Sequence, residues 1–161
     1  MTFSLKPARS VSDLALAARL FREYAVELGE DLCFQGFTEE LASLPGRYAP
    51  PTGEILLAWL EDTAPVGCIA MRPLDTPDGD SKVCEMKRMY VQAAGRGHGI
   101  GKAMVAEILS LARNAGYKAM RLDTLPRLKS ALHLYEQAGF LEITAYYENP
   151  LPGVIYLEKQ L

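Results

Sequence analysis

This 161-residue chain has little charge of one sign, and its formal net charge of −3 excludes the basic field on which nucleic-acid binders depend. It also lacks any apolar run approaching the ~20 residues needed to cross a bilayer. The segment Met1 to Arg9 has no apolar core of the kind a signal peptide carries. Cysteine is scarce: Cys33, Cys68 and Cys84 form an odd set with no metal-ligand spacing. That pattern leads us to expect reduced thiols, a cytoplasmic location and no metal centre. There is no internal repeat and no low-complexity tract. What remains is the composition of an ordinary globule, 49% hydrophobic and 23% charged, at a length that suits one domain over residues 1–161.

Periodicity gives an alternating order of elements. Phe3 to Lys6 alternates as a first strand, and Ser10-Val11-Ser12-Asp13 opens a helix whose apolar face (Leu14, Ala17, Phe21, Tyr24, Ala25, Leu28) runs to Gly29. Asp31 to Phe37 is a loop rich in apolar residues, and Thr38 is expected to cap a short helix, Glu39 to Leu44. Ile55 to Leu60 and Val66 to Met71 read as a hairpin around the turn Glu61–Ala64. Asp75 to Ser81 is an acidic turn, and Val83 to Val91 a further strand. Ile100, Met104, Val105, Ile108, Leu109 and Ala112 mark one helix face ending before Gly116. A strand at Lys118–Asp123, a helix at Arg127–Ala138, and strands at Glu142–Tyr147 and Val154–Leu157 complete an α/β pattern.

Chemistry concentrates in Arg96-Gly97-His98-Gly99-Ile100-Gly101-Lys102, which joins a strand to a helix. Residues without a Cβ let backbone N–H groups converge on an anion at the positive end of a helix. A Walker A loop does not fit, since Arg96 stands where its first glycine belongs and Ala103 follows Lys102. A dinucleotide fingerprint does not fit either. Begun at Gly95, Gly97 or Gly99, it ends on Ile100, Lys102 or Met104.

Arg96-x-x-Gly99-x-Gly101 resembles the coenzyme A pyrophosphate loop of the GNAT superfamily of N-acetyltransferases. Ala131-x-x-x-Tyr135-x-x-x-Gly139-Phe140 is similar to that superfamily's second signature. The resemblance covers residues 54 to 145. It implies the GNAT acyl-CoA N-acyltransferase fold, an α/β fold with a central mixed, mostly antiparallel sheet and about four helices. It implies acetyl-CoA as co-substrate, held by Arg96, Gly97, His98, Gly99, Ile100, Gly101 and Lys102. Backbone N–H groups of Met89, Tyr90 and Val91 would polarise the thioester, and Tyr135 would protonate the departing thiolate. The chain departs from the family pattern at Leu128, where Asn is usual, so one polar contact to the cofactor is missing.

For the base, Glu85 lies eleven residues before Arg96, where histone-type members of the superfamily carry a strand glutamate. Alternation would put Glu85, Lys87, Met89 and Val91 on one face. An ion pair of Glu85 with Lys87 or Arg72 is the competing reading. A covalent relay through Cys84 or Cys33 finds no local His partner. The loop carrying Phe34 and Gln35 and the late segment carrying Tyr146 and Tyr147 are expected to flank a small-molecule amine acceptor. The expected activity is direct N-acetyl transfer. A non-catalytic acyl-CoA-binding regulatory module and a protein lysine or N-terminal acetyltransferase stand as alternatives. A homodimer through the apolar late strand Val154–Leu157 is expected if that strand forms an exposed edge.

Overall fold

A computed structural model describes residues 2–80 and 82–161, so Ser81, at the end of the expected acidic turn, lies outside the described residues, as does Met1. Seven strands form one sheet: β1 (Phe3–Pro7), β2 (Glu54–Leu60), β3 (Ala64–Pro73), β4 (Val83–Val91), β5 (Ala119–Thr124), β6 (Leu141–Ile143) and β7 (Ile155–Gln160). Their order is β1-β2-β3-β4-β5-β7-β6, and every neighbouring pair is antiparallel except β4–β5.

Four α-helices flank this sheet. α1 (Val11–Leu28) starts at the Ser10–Asp13 capping box and stops where Gly29 takes a left-handed φ of 72°. α1 packs Ala17, Leu20 and Phe21 against Ile55, Leu57, Cys68 and Ala70 on one face of the sheet. α3 (Ile100–Asn114) and α4 (Lys129–Gln137) cover the other face, where Met104, Ile108 and Tyr135 meet Ile69, Met86, Met120 and Leu122. Each apolar stripe therefore finds one face of the sheet, giving a core on each side, and a smaller cluster of Leu28, Leu32 and Leu125 joins the end of α1 to the end of β5. The short helix α2 (Phe37–Ala42) begins at Gly36 rather than at Thr38, because a left-handed Gly36 already ends the preceding 3₁₀ turn, Cys33–Gln35.

Two departures from the sequence pattern shape the site. β4 carries a bulge, in which Ala70 pairs with Lys87 and Cys68 with Tyr90, so three steps on β4 match two on β3. Arg88 takes a left-handed φ of 60° there. The extra residue reverses the alternation. Glu85 and Lys87 stay on the α1 face, while Met89 and Val91 turn to the α3 face, so the four do not share a side. β4 and β5 pair only from Val83–Ala119 to Glu85–Arg121, then diverge and open a crevice between them.

Late in the chain, β6 is three residues long rather than six, and Tyr146 and Tyr147 belong to the following loop. β7 is no edge, for it lies between β5 and β6. The edge on that side is β6, where Leu141 is 73% exposed.

Candidate active site

The wider of two adjoining clefts runs from the end of β4 across the start of α3 to α4. It is open to solvent, with a cavity volume of about 620 Å³. Met89, Tyr90, Val91, Arg96, Gly97, Gly99, Ile100, Gly101 and Lys102 all line it. Gly99 is the N-cap of α3 at a φ of 78°, and no side chain caps the helix. The first-turn N–H groups therefore have no acceptor inside the helix, and they carry its positive end. A Cβ on Gly99 would enter open space, whereas one on Gly101 would strike Leu134 Cδ1 at 2.8 Å. Gly99 thus bares the backbone to the cleft, and Gly101 lets α3 approach α4.

Arg96, Lys102, Arg127, Lys129 and His133 surround this cleft, and Glu27 is its one carboxylate among the described residues. Arg96 donates to the Val91 carbonyl at 3.0 Å and pairs with Glu27. Orphaned N–H donors ringed by cations suit a diphosphate. Beyond Glu85, β4 has no strand on its β5 side, so the backbone from Met89 to Val91 also borders open space.

The second cleft occupies the crevice between β4 and β5 and is narrow, with a cavity volume of about 60 Å³. Tyr24, Leu28, Met89, Leu128 and Ala131 line both clefts, so the two are continuous. Leu32, Leu125, Leu151 and Val154 form an apolar mouth, and Gln35, Lys87, Arg88, Asp123, Thr124, Tyr135 and Asn149 supply polar groups. A continuous network holds the buried charges. Arg88 grips Glu40 through Nε and Nη2 at 2.9 and 3.0 Å, with side chains 2% and 9% exposed. Gln35 Oε1 accepts from Arg88 Nη1 at 2.8 Å and from Lys87 Nζ at 3.0 Å. Asp123 Oδ2 accepts from Tyr147 and from Asn149 Nδ2, the latter at 2.9 Å. Burial pulls the Lys87 ammonium below its ordinary range.

Tyr135 reaches this pocket from α4. Its ring is buried edge-on against Phe140, and no group among the described residues bonds its hydroxyl. Burial, reinforced by Tyr24 and Asp123, raises its phenol above the usual range, so it stays protonated at neutral pH.

Other expected site residues stand apart. Glu85 is 2% exposed and lines neither cleft. It accepts from Arg72 at 3.1 and 3.2 Å and from Tyr146 at 2.6 Å, which is the ion-pair arrangement. His98, between two left-handed glycines whose backbone borders the cofactor cleft, does not line that cleft. Phe34 is 38% exposed and outside the pocket, while Gln35 is in its wall. Tyr146 and Tyr147 sit behind the wall, holding Glu85 and Asp123. Cys68 and Cys84 are buried, Cys33 is exposed, and no cysteine lines either cleft. Asn149 belongs to the late segment expected to flank the acceptor, whereas Asp123 and Arg88 were not expected from the sequence. The one available signal was that Asp123 ends a strand, where ligands of open α/β sheets gather.

Comparison with known proteins agrees with this geometry. Residues 17–140 match the family model described as acetyltransferase (GNAT) family. An uncharacterized N-acetyltransferase of Schizosaccharomyces pombe is 38% identical over 158 residues, 98% of this chain and 94% of the relative. Among solved structures, an acetyltransferase of the GNAT family from Staphylococcus aureus overlays with a TM-score of 0.79 at 18% identity, over 99% of both chains. The acetyltransferase YncA of Salmonella typhimurium, solved with its cofactor acetyl-CoA, gives 0.75 at 14% identity over 99% of this chain and 94% of its own.

Proposed function

The chain belongs to the GNAT acetyltransferase family, and we propose that it transfers acetyl directly from acetyl-CoA to the amine of a small molecule. One observation carries this reading: a diphosphate-suited cleft runs into a narrow crevice that offers polar side chains, and Tyr135 lines that crevice beside the residues common to both. Bound acetyl-CoA would supply an activated acyl group as a thioester. Backbone N–H groups at the α3 N-terminus, with Arg96 and Lys102, hold the diphosphate. Of the expected backbone donors on β4, those of Met89 and Val91 are directed to the open side and serve the thioester carbonyl, whereas Tyr90 is in register with Cys68 of β3.

Asp123 Oδ1 accepts no hydrogen bond among the described residues and lies in the pocket wall. It receives the proton that the amine nitrogen loses as the bond to the acetyl carbon forms. Tyr135 gives its proton to sulfur as the carbon–sulfur bond breaks; a thiolate whose thiol has pKa ~8.5 accepts from a phenol held in register. The role first expected at Glu85 passes in this reading to Asp123, and Glu85 positions the late loop through Tyr146. The absence of cysteine from the lining supports direct transfer over a covalent relay. The narrowness of this crevice favours a small acceptor over a protein one.

The test follows free thiol while the protein meets acetyl-CoA and a panel of amines and peptides. Turnover on small amines is expected, and Tyr135→Phe is expected to lower kcat on the order of a hundredfold with acetyl-CoA affinity nearly unchanged. Cofactor binding without turnover on any acceptor would favour the regulatory module, and turnover on peptides alone would favour a protein acetyltransferase. Because β7 is covered on both sides, a homodimer through the late strands would use the β6 edge, and light scattering at micromolar concentration tests for one.

A further inference from the structure

We propose that the acceptor is an α-amino acid, bound with its carboxylate on Lys87 and its amino group on Asp123; this rests on the acetyltransferase reading above. In one pocket wall a buried cation and a buried anion stand side by side with spare valence. Lys87 Nζ lies 3.8 Å from Asp123 Oδ1, beyond hydrogen-bond distance, and their side chains are 4% and 9% exposed. Of its three N–H donors, the Lys87 ammonium uses one, toward Gln35 Oε1. Among the described residues Asp123 accepts hydrogen bonds at Oδ2 alone, from Tyr147 and Asn149.

The other buried charges on this side are already matched, Arg88 by Glu40 and Glu85 by Arg72. An α-amino acid carries its ammonium and carboxylate one carbon apart in the complementary sense. It would complete both half-used groups at once. A simple amine would satisfy Asp123 and leave Lys87 short of acceptors, which is costly at this burial.

Gln35 adds a second, independent observation. Its amide oxygen sits between two cations, Lys87 and Arg88, at 3.0 and 2.8 Å. Arg88 is already answered by Glu40, whereas Lys87 has only this neutral oxygen within hydrogen-bond distance and Asp123 at 3.8 Å, so a carboxylate oxygen would give Lys87 the charged acceptor it lacks. The apolar mouth of Leu32, Leu125, Leu151 and Val154 would receive an apolar side chain. The amino group on Asp123 then lies in the crevice that Tyr135 also lines.

The experiment compares matched trios: the amino acids alanine, leucine, methionine and phenylalanine, their carboxamides, and their decarboxylated amines. Two readouts are taken, kcat/KM with acetyl-CoA and binding to the cofactor-free protein by calorimetry. At least one amino acid is expected to exceed its amide and amine tenfold or more in both. Lys87→Met should erase that preference. Because Lys87→Met leaves Asp123 buried without its cation and could misfold, Gln35→Glu is the second variant. It sits on a surface turn, sets a fixed carboxylate between Lys87 and Arg88, and should lower amino-acid binding at least tenfold while moving amides less than twofold. Amides and amines turned over as well as amino acids in every trio would overturn the inference and leave the acetyltransferase reading standing. No turnover on any amine, with amino acids still bound in preference to amides, would overturn the reading and sustain the pocket assignment. No preference in either readout would overturn the inference.

Discussion

The two clefts use opposite materials. The cofactor cleft presents main-chain N–H groups, and the cations around it are half-exposed, Arg96 and its partner Glu27 at 51% each. The acceptor pocket presents charged side chains almost wholly withdrawn from water, Glu40, Lys87, Arg88 and Asp123, fixed by one another and by the half-buried Gln35. In the first, the binding geometry belongs to the chain's path, and losing one side chain removes only a screened charge. In the second, each group is the only counterweight of another, and losing one strands its partner in a low dielectric. A shared ligand can be met by backbone, which cannot easily mutate, while acceptor choice rests on side chains that can.

The sharpest way to break this contrast is Arg88→Met. The Arg88–Glu40 pair is bidentate and buried, and Arg88 also lies over the Phe37 ring at 5.0 Å. Removing one partner of a buried pair costs about 3–5 kcal/mol. A large fall in melting temperature is expected, and Glu40→Gln made with it should recover part of the loss. A melting temperature within a degree of the parent would show that the network is not the pocket's frame.

Next in size is Gly99→Asp. Space at Gly99 is open and Asp tolerates a positive φ better than most residues, so the fold should survive. A carboxylate beside the orphaned N–H groups opposes a diphosphate, and coenzyme A affinity is expected to fall by about two orders of magnitude. Calorimetry on the folded variant is the check. Unchanged affinity would mean that the loop does not hold the diphosphate.

The same contrast explains how much could be read from sequence. Gly99 and Gly101 act through backbone, and backbone demands leave glycines at fixed local spacing, so Arg96 to Lys102 was legible. Sheet and helices were legible for a similar reason, since Met104, Ile108 and Ala112 recur at the period of the face they bury. The acceptor pocket joins positions 35, 87, 123 and 149, from four separate segments, and no local period encodes their meeting. The β4 bulge was invisible as well. Nothing in Lys87-Arg88-Met89 announces a left-handed Arg88, because what stabilises it is Glu40, 48 residues away. Alternation carried through that point put Met89 and Val91 on the wrong face. Glu85 was found by its spacing from Arg96, but spacing could not distinguish a base from the partner of Arg72.

The smallest effect tests whether the cofactor cleft is as loosely built as this contrast requires. Glu27 is its one carboxylate among the described residues, and it holds Arg96. It also faces Tyr90, whose phenol is pushed up to about 12, by burial first and then by Glu27. Two roles for Glu27 predict opposite signs. If it orders Arg96 for the diphosphate, its loss weakens coenzyme A binding. If it is a screened counterion that the diphosphate displaces, its loss strengthens binding, because the ligand no longer competes with a fixed negative charge. Half-exposed pairs contribute little order, and a flexible guanidinium already anchored to the Val91 carbonyl needs no second anchor. Glu27→Gln is therefore expected to tighten coenzyme A by about two- to fivefold at low salt, the scale of one screened charge. The gain should shrink toward nothing as ionic strength rises to about 0.5 M, where screening acts within a few ångströms. Weaker binding at all salt concentrations would make Glu27 part of the site and the cofactor cleft more dependent on side chains than its open geometry implies.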